Sequence, residues 1–188
     1  AGASDAMEIA RVHVETWRAT YPTLLPAEYL VRHLAVDARA IHWQRQIDAS
    51  PADEAVLVAA DAGAVVGFCS IGPTRTRTGI DFPGAASRIG EVFTLYVLPD
   101  FQNQGVGRAL LAGAFAAMAG RGFDAAMLWV VAGNPSRFFY EAMGGTSLGL
   151  GSEEFAGTTV EQICYFWPDL AQATDSLGAA IEPRRARK

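Results

Sequence analysis

Residues 91–99 read EVFTLYVLP, residues 100–107 read DFQNQGVG, and residues 108–119 read RALLAGAFAAMA. The first run is rich in β-branched and aromatic residues, which favours a strand that ends at Pro99-Asp100. The third run is apolar at helical spacing, so a helix is expected over 105–119. A further strand over 125–131 completes a β-loop-α-β unit, which implies two parallel strands joined by a right-handed crossover.

The loop 102–107 between this strand and this helix has the features of an anion site. A helix N-terminus presents unpaired N–H groups and a partial positive charge, and glycine lets the backbone approach a phosphate closely. Glycine before a helix is also common in ordinary turns, so the spacing alone leaves both interpretations open. An ATP or dinucleotide loop is disfavoured, because the one lysine of the chain is Lys188 and the third fingerprint glycine would fall at Leu110.

The rest of the chain is organised around this unit as a single domain over residues 1–170, which is the size expected for one core. A helix-rich opening precedes a hairpin that turns at 61–63, and a polar loop over 73–88 leads to the quoted strand. The predicted helices cover 5–19, 27–34, 37–49, 105–119 and 134–143, and the predicted strands cover 55–60, 64–71, 89–98, 125–131, 146–150 and 158–167. A Gly/Glu-rich turn is expected between the last two strands, and beyond Pro168 a flexible basic tail is expected over 171–188.

Composition narrows the class of protein. The net charge is −5, which argues against nucleic acid as the main partner and is compatible with a cationic substrate or simply with solubility. With no secretory signal or membrane-spanning run, a cytoplasmic protein without membrane contact is expected. Cys69 and Cys164 are expected to be buried thiols, and no cluster of residues has metal-ligand spacing.

Several motifs, in this order and spacing, closely resemble the GNAT family of N-acetyltransferases. They are the 91–99 strand, the run Gln102-x-x-Gly105-x-Gly107, and the later run from Asn134 through Phe139-Tyr140-Glu141 to Gly144. The helical start around 13–18, with Tyr21 and Pro26, is also similar to many bacterial members. One departure is that only Ala1-Gly2-Ala3 precede the first helical segment, so the first strand of the family is expected to be missing or truncated.

The resemblance implies an α/β (α+β) fold and acetyl-CoA as the acetyl donor, with no metal. The sheet would be mixed and mostly antiparallel, with about six to seven strands, a splayed parallel pair in the middle, and flanking helices. The loop would hold the CoA pyrophosphate, and the splayed strand would pair with the pantetheine amides as an added strand. The implied cofactor-binding residues are Leu95, Tyr96, Val97, Gln102, Asn103, Gln104, Gly105, Val106, Gly107, Arg108 and Asn134.

Two catalytic residues are predicted for acetyl transfer to an amine. Glu91 is the candidate base, because amines are mostly protonated at neutral pH and the family frequently places a glutamate there; the alternative is a solvated strand-end carboxylate. Tyr140 matches the tyrosine that faces the CoA sulfur in the family and is the candidate acid; the alternative is a core aromatic residue. A backbone N–H near Tyr96 or Val97 is expected to stabilise the oxyanion. For Asn134 two roles are considered, a cap on its helix and a contact with the cofactor.

Other conspicuous residues are given structural interpretations. The three histidines, His13, His33 and His42, are expected to pack or to be solvated rather than to catalyse. Trp17, Tyr21 and Trp43 are expected to pack the core more than to line an acceptor pocket, and Arg75 and Arg77 to be solvated loop charges.

The sequence predicts an acetyl-CoA-dependent N-acetyltransferase that acts by direct transfer on a small amine or a peptide amine. A longer acyl donor is not excluded by the motif. An acyl-CoA-binding regulatory module without catalysis is the alternative. Exposed edges of the final strands would favour a homodimer, because such edges can pair.

Overall fold

The computed structural model describes residues 1–49, 51–75, 80–84 and 88–178. None of the helices in these ranges is long and apolar enough to cross a membrane. The elements are α1 (Ala6–Thr20), α2 (Ala27–His33), α3 (Val36–Ala49), β1 (Ala55–Asp61), β2 (Ala64–Pro73), β3 (Ile89–Val97), α4 (Val106–Ala119), β4 (Ala125–Val131), α5 (Arg137–Ala142), β5 (Thr146–Phe155), β6 (Thr158–Trp167) and α6 (Leu170–Gly178).

Six strands form one sheet in the order β1-β2-β3-β4-β6-β5, which confirms the predicted fold class. The central pair, β3 and β4, is parallel, and the other four pairs are antiparallel. The two flanking hairpins turn on residue pairs with positive φ, namely Ala62-Gly63 and Ala156-Gly157. Such pairs form the two-residue turns whose twist matches that of antiparallel strands.

Alternation along the strands divides the core into two layers. On β2, Phe68 packs with the α1 and α3 residues Ile9 and Trp43, whereas Cys69 and Ile71 belong to the cluster on the α4 side. Successive strand residues point to opposite faces, so both faces of the sheet are covered by helices. Both cysteines, Cys69 and Cys164, are buried free thiols, as expected.

The first residues of the described chain lie against β1, and the missing or truncated first strand stays a prediction. A short 3-10 helix, Ala3–Asp5, precedes α1, and the Ala1 ammonium group donates to the Val56 carbonyl at 2.8 Å on the outer strand of the sheet. At the opposite side of the sheet β5 is the outer strand. A homodimer through that strand stays a prediction.

Two sequence predictions near the C-terminus were wrong. The residues 151–155, expected as a turn, continue β5, because the turn is made by the following pair Ala156-Gly157. The expected loss of order after Pro168 is replaced by α6, in which Leu170 and Leu177 are buried, two helical turns apart. The remainder of the predicted tail, 179–188, lies outside the described residues.

Gly145 occupies a position where a side chain has no room. A Cβ atom there would lie 2.7 Å from the Trp167 ring and 3.0 Å from the Tyr140 carbonyl oxygen. The Trp167 indole is fixed, because its N–H donates to the Met143 carbonyl at 3.0 Å. We expect Gly145→Ala to lower the free energy of unfolding by about 1–3 kcal/mol through overpacking.

Thermal unfolding measures this effect, since each kcal/mol shifts the midpoint of a domain of this size by roughly 2–4 °C. Gly178→Ala is the matched control, because a Cβ at Gly178 meets nothing within 4 Å. An unchanged midpoint for Gly145→Ala would contradict the packing described here.

Candidate active site

The central feature of the site is the opening between β3 and β4. These strands pair only at Ile89↔Ala125, Gly90↔Ala126 and Glu91↔Met127, and beyond these pairs they diverge. β3 continues along β2, while β4 continues along β6. The second half of β3 therefore borders a gap on the side where a neighbouring strand would otherwise lie.

The register of β2 and β3 determines which backbone groups face this gap. The N–H of Leu98 donates to the Val66 carbonyl at 3.0 Å, so these two residues form a hydrogen-bonded antiparallel pair. Hydrogen-bonded pairs alternate along such a ladder, so the N–H and C=O of Tyr96 point to β2. Those of Leu95 and Val97 point to the gap, and the Val97 carbonyl accepts the Gln102 side-chain amide at 3.0 Å.

The N-terminus of α4 lies at the end of this gap. Gly105, the residue before the helix, has φ +88°, and its carbonyl accepts the first helical hydrogen bond, from the Ala109 N–H at 2.9 Å. Asn103 also has a left-handed backbone conformation, with φ +58°. Side chains fasten the loop, since the Gln104 amide donates to the Asp100 carbonyl at 2.6 Å. The first-turn N–H groups of the helix are thereby presented to the gap.

Arg108 in the first turn of α4 is turned towards α6. Its Nε donates to the Leu177 carbonyl at 3.1 Å and its terminal nitrogen to the Ser176 carbonyl at 2.9 Å. These carbonyls belong to the last turn of α6, where a cation is favourable. The guanidinium therefore ties α6 to the loop, a role that sequence reasoning did not assign.

A cavity of about 910 Å³ occupies the gap and continues towards α1, α2 and β5. It brings together most of the predicted site residues, whereas Gln104 and Val106 do not line it. The predicted residues in its wall are Glu91, Leu95, Tyr96, Val97, Gln102, Asn103, Gly105, Gly107, Arg108, Asn134 and Tyr140. In the described part of the chain no group of three His, Cys, Asp or Glu residues could hold a metal ion.

Glu91 lies where β3 and β4 separate. Its side chain is 3% exposed and lines the cavity, so it is not the solvated strand-end carboxylate of the alternative interpretation. One carboxylate oxygen accepts the Arg75 N–H at 2.9 Å. Arg75 is exposed, as expected of a solvated loop charge, and its guanidinium lies 3.7 Å above the Phe93 ring centre; Arg77 lies outside the described residues.

Tyr140 lies on α5 and is 8% exposed. Burial, together with the nearby Tyr96 and Cys69, raises the pKa of the Tyr140 phenol well above its usual range, so the phenol keeps its proton at physiological pH. Its ring packs against Phe139, with 5.2 Å between centroids. The residue is thus both part of the core and part of the cavity wall.

Asn134 was expected at the start of α5 but lies before the helix. The helix begins at Arg137, not at residue 134, and the Asn134 side-chain oxygen accepts the Ser136 N–H at 2.9 Å. This is a turn that leads into the helix rather than a cap on it. Asn134 is 4% exposed, lines the cavity, and interacts with the Tyr21 hydroxyl.

Residues that sequence analysis assigned to the core also line the cavity. Trp17 and Tyr21 are in its wall, whereas Trp43 is buried away from it. The Tyr21 hydroxyl interacts with that of Tyr96, and burial raises the pKa of Tyr21 to about 12. Helical spacing could not separate the two possibilities, because a residue at the rim of a core and one at the wall of a cavity follow the same pattern.

The end of the cavity formed by α2 and β5 was missed entirely. Glu153 and Phe155 share one face of β5, and the Gln162 amide on β6 donates to the Glu153 carboxylate at 3.1 Å. Tyr29 packs edge-on against Phe155, with 5.0 Å between centroids. The pair Ala156-Gly157 could have indicated this end of the cavity. If these two residues form the turn, the strand before them includes Glu153.

His13 is a buried neutral base in the cavity wall. It is 4% exposed, and its Nδ1 accepts the Trp43 indole N–H at 3.2 Å. Burial, with a smaller contribution from the Arg39 charge, lowers the pKa of His13 to about 3. Its Nε2 and the Thr16 hydroxyl, also in the wall, have no hydrogen-bond partner among the residues that the structure describes.

The depressed pKa of His13 predicts a loss of stability in acid. Between about pH 6.5 and pH 3 the unfolded chain binds a proton at His13 that the folded chain does not. Above about pH 6.5 this difference in proton binding does not lower the free energy of unfolding. Below it, down to about pH 3, the free energy of unfolding falls by about 1.4 kcal/mol for each pH unit. Imidazole NMR signals measure this directly: the His13 signal should not titrate between pH 5 and 8, and a midpoint near 6.5 would contradict the account.

Comparisons with known proteins agree with this geometry. Residues 11–145 match the model of the acetyltransferase (GNAT) family. The chain is 36% identical, over 169 residues, to the uncharacterized N-acetyltransferase YuaI of Bacillus subtilis (strain 168), and the match covers 89% of this chain and 90% of the relative.

Solved structures show the same fold. The PaiA N-acetyltransferase from Thermoplasma acidophilum, solved in complex with coenzyme A, superposes with a TM-score of 0.63 at 19% identity, covering 87% of this chain and 94% of that one. A phosphinothricin acetyltransferase (Pat) from Sinorhizobium meliloti, solved in complex with AcCoA, has a TM-score of 0.65 at 20% identity, covering 90% and 85%.

Proposed function

This chain belongs to the GNAT family of acetyltransferases, and we propose that it moves an acetyl group from acetyl-CoA to the primary amine of an acceptor by direct transfer. The observation that carries the proposal is the opening between β3 and β4, which pair at three positions and then diverge towards the N-terminus of α4. This geometry combines an unpaired strand edge with an anion-binding helix end.

The residues around the opening fit the donor. The outward-facing N–H and C=O groups of Leu95 and Val97 would pair with the pantetheine amides, and the N–H groups around Gly105 and Gly107 would hold the diphosphate. When bound, acetyl-CoA supplies an activated thioester. That PaiA was solved with coenzyme A and the Sinorhizobium protein with AcCoA supports this assignment.

Glu91 is proposed as the base. An acceptor arrives as an ammonium ion and must lose its proton before its nitrogen can attack the thioester carbon. A buried carboxylate held by the Arg75 N–H is positioned to take that proton, directly or through a water molecule. Glu91 takes the first proton of the ammonium group before the attack and passes it to water. The second proton leaves the nitrogen as the N–C bond forms and the C–S bond breaks, and it replaces the proton that Tyr140 gives to the departing sulfur.

Val97 is proposed to stabilise the oxyanion, and Tyr140 is proposed as the acid. Of the two N–H groups considered for the developing oxyanion, that of Tyr96 belongs to the β2 ladder, whereas that of Val97 faces the opening. The protonated Tyr140 phenol would give its proton to the departing thiolate. Burial raises the pKa of a thiol in the same site as well as that of the phenol, so the transfer need not become less favourable.

A thiol-release assay over a panel of amines tests the proposal. We expect release of CoA thiol to match the gain of one acetyl group on the amine, measured by mass spectrometry. Initial rates with both substrates varied should give intersecting lines, because direct transfer passes through a ternary complex, whereas parallel lines would indicate an acetylated enzyme. Tight acetyl-CoA binding without thiol release on any amine would instead favour a regulatory acyl-CoA-binding module.

A further inference from the structure

The end of the cavity between α1, α2 and β5 is lined by a cluster of aromatic and aliphatic side chains. From this we propose that the acceptor is an arylalkylamine, in which a short alkyl chain joins the reacting amine to an aromatic ring, and that this cluster binds the ring. The inference rests on the proposed N-acetyltransferase function and names its substrate class.

One hydrophobic cluster supplies this end of the wall, which we call the aromatic end. Its members come from α1 and the turn after it, from α2, and from strands β3, β4 and β5. A cluster that lines a cavity is a core left open on one side, and an apolar ligand can complete it. The members in the cavity wall are Trp17, Tyr21, Leu25, Tyr29, Tyr96, Val131 and Phe155.

The rings of the aromatic end hold one another in place. The centroid of the Trp17 ring lies 5.2 Å from that of Tyr21 and 6.0 Å from that of Tyr29. Tyr29 in turn meets the Phe155 ring edge-on at 5.0 Å, which joins α2 to β5. Because each of these rings packs against at least one other, a ligand does not have to order them, and less of its binding free energy is lost.

Three of these rings still expose apolar surface. Tyr21, Tyr29 and Phe155 are only half-buried although they pack in the cluster. Apolar surface left in a concave wall is covered favourably by a ligand of the same character. An aromatic ligand gains in addition the edge-to-face or offset contacts that pairs of rings prefer.

Polar groups at this end are engaged or covered. The Gln162 amide donates to the Glu153 carboxylate at 3.1 Å, so these two side chains do not depend on a ligand for a partner. The His13 Nε2 and the Thr16 hydroxyl have no partner among the described residues, yet their neighbours cover them, with less than 1 Å² of accessible surface each. The rings are therefore the surface on which this end selects a ligand.

The aromatic end and Glu91 belong to the same cavity, of about 910 Å³. Tyr96 connects them, because its side chain packs in the cluster while its backbone lies between Leu95 and Val97, which would pair with the donor. A cavity of this size has room for a ligand of one ring beside the pantetheine arm. An acceptor with its ring at the aromatic end would thus bring its amine towards Glu91 on a short alkyl chain.

The test compares amines that differ only in the group at the end of the chain. We expect kcat/KM to be about 10- to 100-fold higher for phenethylamine than for ethylamine, as for the burial of one aromatic side chain. Cyclohexylethylamine has a ring of similar size without the aromatic contacts, and its kcat/KM should be about 2- to 10-fold below that of phenethylamine. An equal or higher value for cyclohexylethylamine would overturn the assignment of an aromatic acceptor.

Phe155→Ala should raise the KM for phenethylamine by about tenfold, with little change for ethylamine. Tyr29→Phe keeps the ring and should retain the preference, whereas Tyr29→Ala should lower it and repeats the test on a second element if Phe155→Ala does not fold. Phe82→Ala is the matched control, because Phe82 is also half-buried, packs on Phe166 at 5.3 Å between centroids, and lies outside the cavity wall.

Two results would overturn the inference while leaving the proposed function standing. One is equal kcat/KM for phenethylamine and ethylamine. The other is the same loss of preference in Phe82→Ala as in Phe155→Ala, since the effect would then follow from destabilisation and not from contact with the acceptor.

A binding measurement separates the two proposals if no amine is acetylated. Calorimetric titration of phenethylamine and of ethylamine into the protein with CoA present does not depend on turnover. Phenethylamine binding that is tighter than ethylamine binding and weakened by Phe155→Ala supports the aromatic site even if catalysis fails. Equal binding of the two amines, or no binding of phenethylamine, overturns it.

Discussion

Tyr140→Phe is expected to lower kcat by about 100-fold or more, within the range that one positioned proton donor contributes, while the affinity for CoA stays nearly unchanged. The change removes only the phenol oxygen, and the remaining ring keeps its packing against Phe139 and Tyr165. Without the phenol proton the sulfur must depart as a thiolate or wait for water. Steady-state rates on an accepted amine, with calorimetric titration of CoA, measure the two effects separately.

Tyr165→Phe is the matched control for this variant. Tyr165 is also a buried tyrosine, its hydroxyl donates to the Glu141 carboxylate at 2.6 Å, and it does not line the cavity. Its loss should cost about 1 kcal/mol of stability, as for one hydrogen bond, and little activity. Unchanged turnover in Tyr140→Phe, or an equal loss in both variants, would contradict the role of Tyr140 as the acid.

Glu91→Gln is expected to lower kcat/KM at neutral pH by about 100-fold or more, because no other carboxylate of the described residues lies where β3 and β4 separate to take the ammonium proton. The loss should shrink as the pH rises towards the ordinary pKa of an alkylamine, about 10, since the free base then arrives unaided. A pH–rate profile of both proteins on one amine makes this measurement.

Stability should not account for the effect of Glu91→Gln. A glutamine oxygen can still accept the Arg75 N–H, and the variant removes a charge from a site that is 3% exposed. Glu161→Gln, an exposed position outside the cavity wall, is the control. A constant ratio of the two rates across the pH range would argue that Glu91 acts structurally rather than as a base.

The cofactor half of the site was predictable because it is local in sequence. The strand over 91–99, the loop over 102–107 and the following helix are consecutive, so turn chemistry and periodicity place them together without knowledge of the tertiary fold. The β2–β3 register that directs Val97 rather than Tyr96 to the opening depends on pairing with Val66, which no local pattern records.

The acceptor half could not be predicted in the same way. Trp17, Tyr29 and Glu153 come from three elements that are distant in sequence and meet only because β5 lies beyond β6 at one edge of the sheet. The turn expected over 151–155 hid Glu153, since a run with two glutamates beside a glycine resembles a loop. Two leucines seven positions apart were likewise too weak a pattern to predict α6.

We propose that the acetyl donor binds in the opening between β3 and β4. A crystal structure of the protein with CoA tests it most directly. The account predicts the diphosphate within hydrogen-bond distance of the N–H groups around Gly105 and Gly107, and the pantetheine amides paired with Leu95 and Val97. CoA bound elsewhere, or an opening that stays empty at saturating CoA, would contradict it.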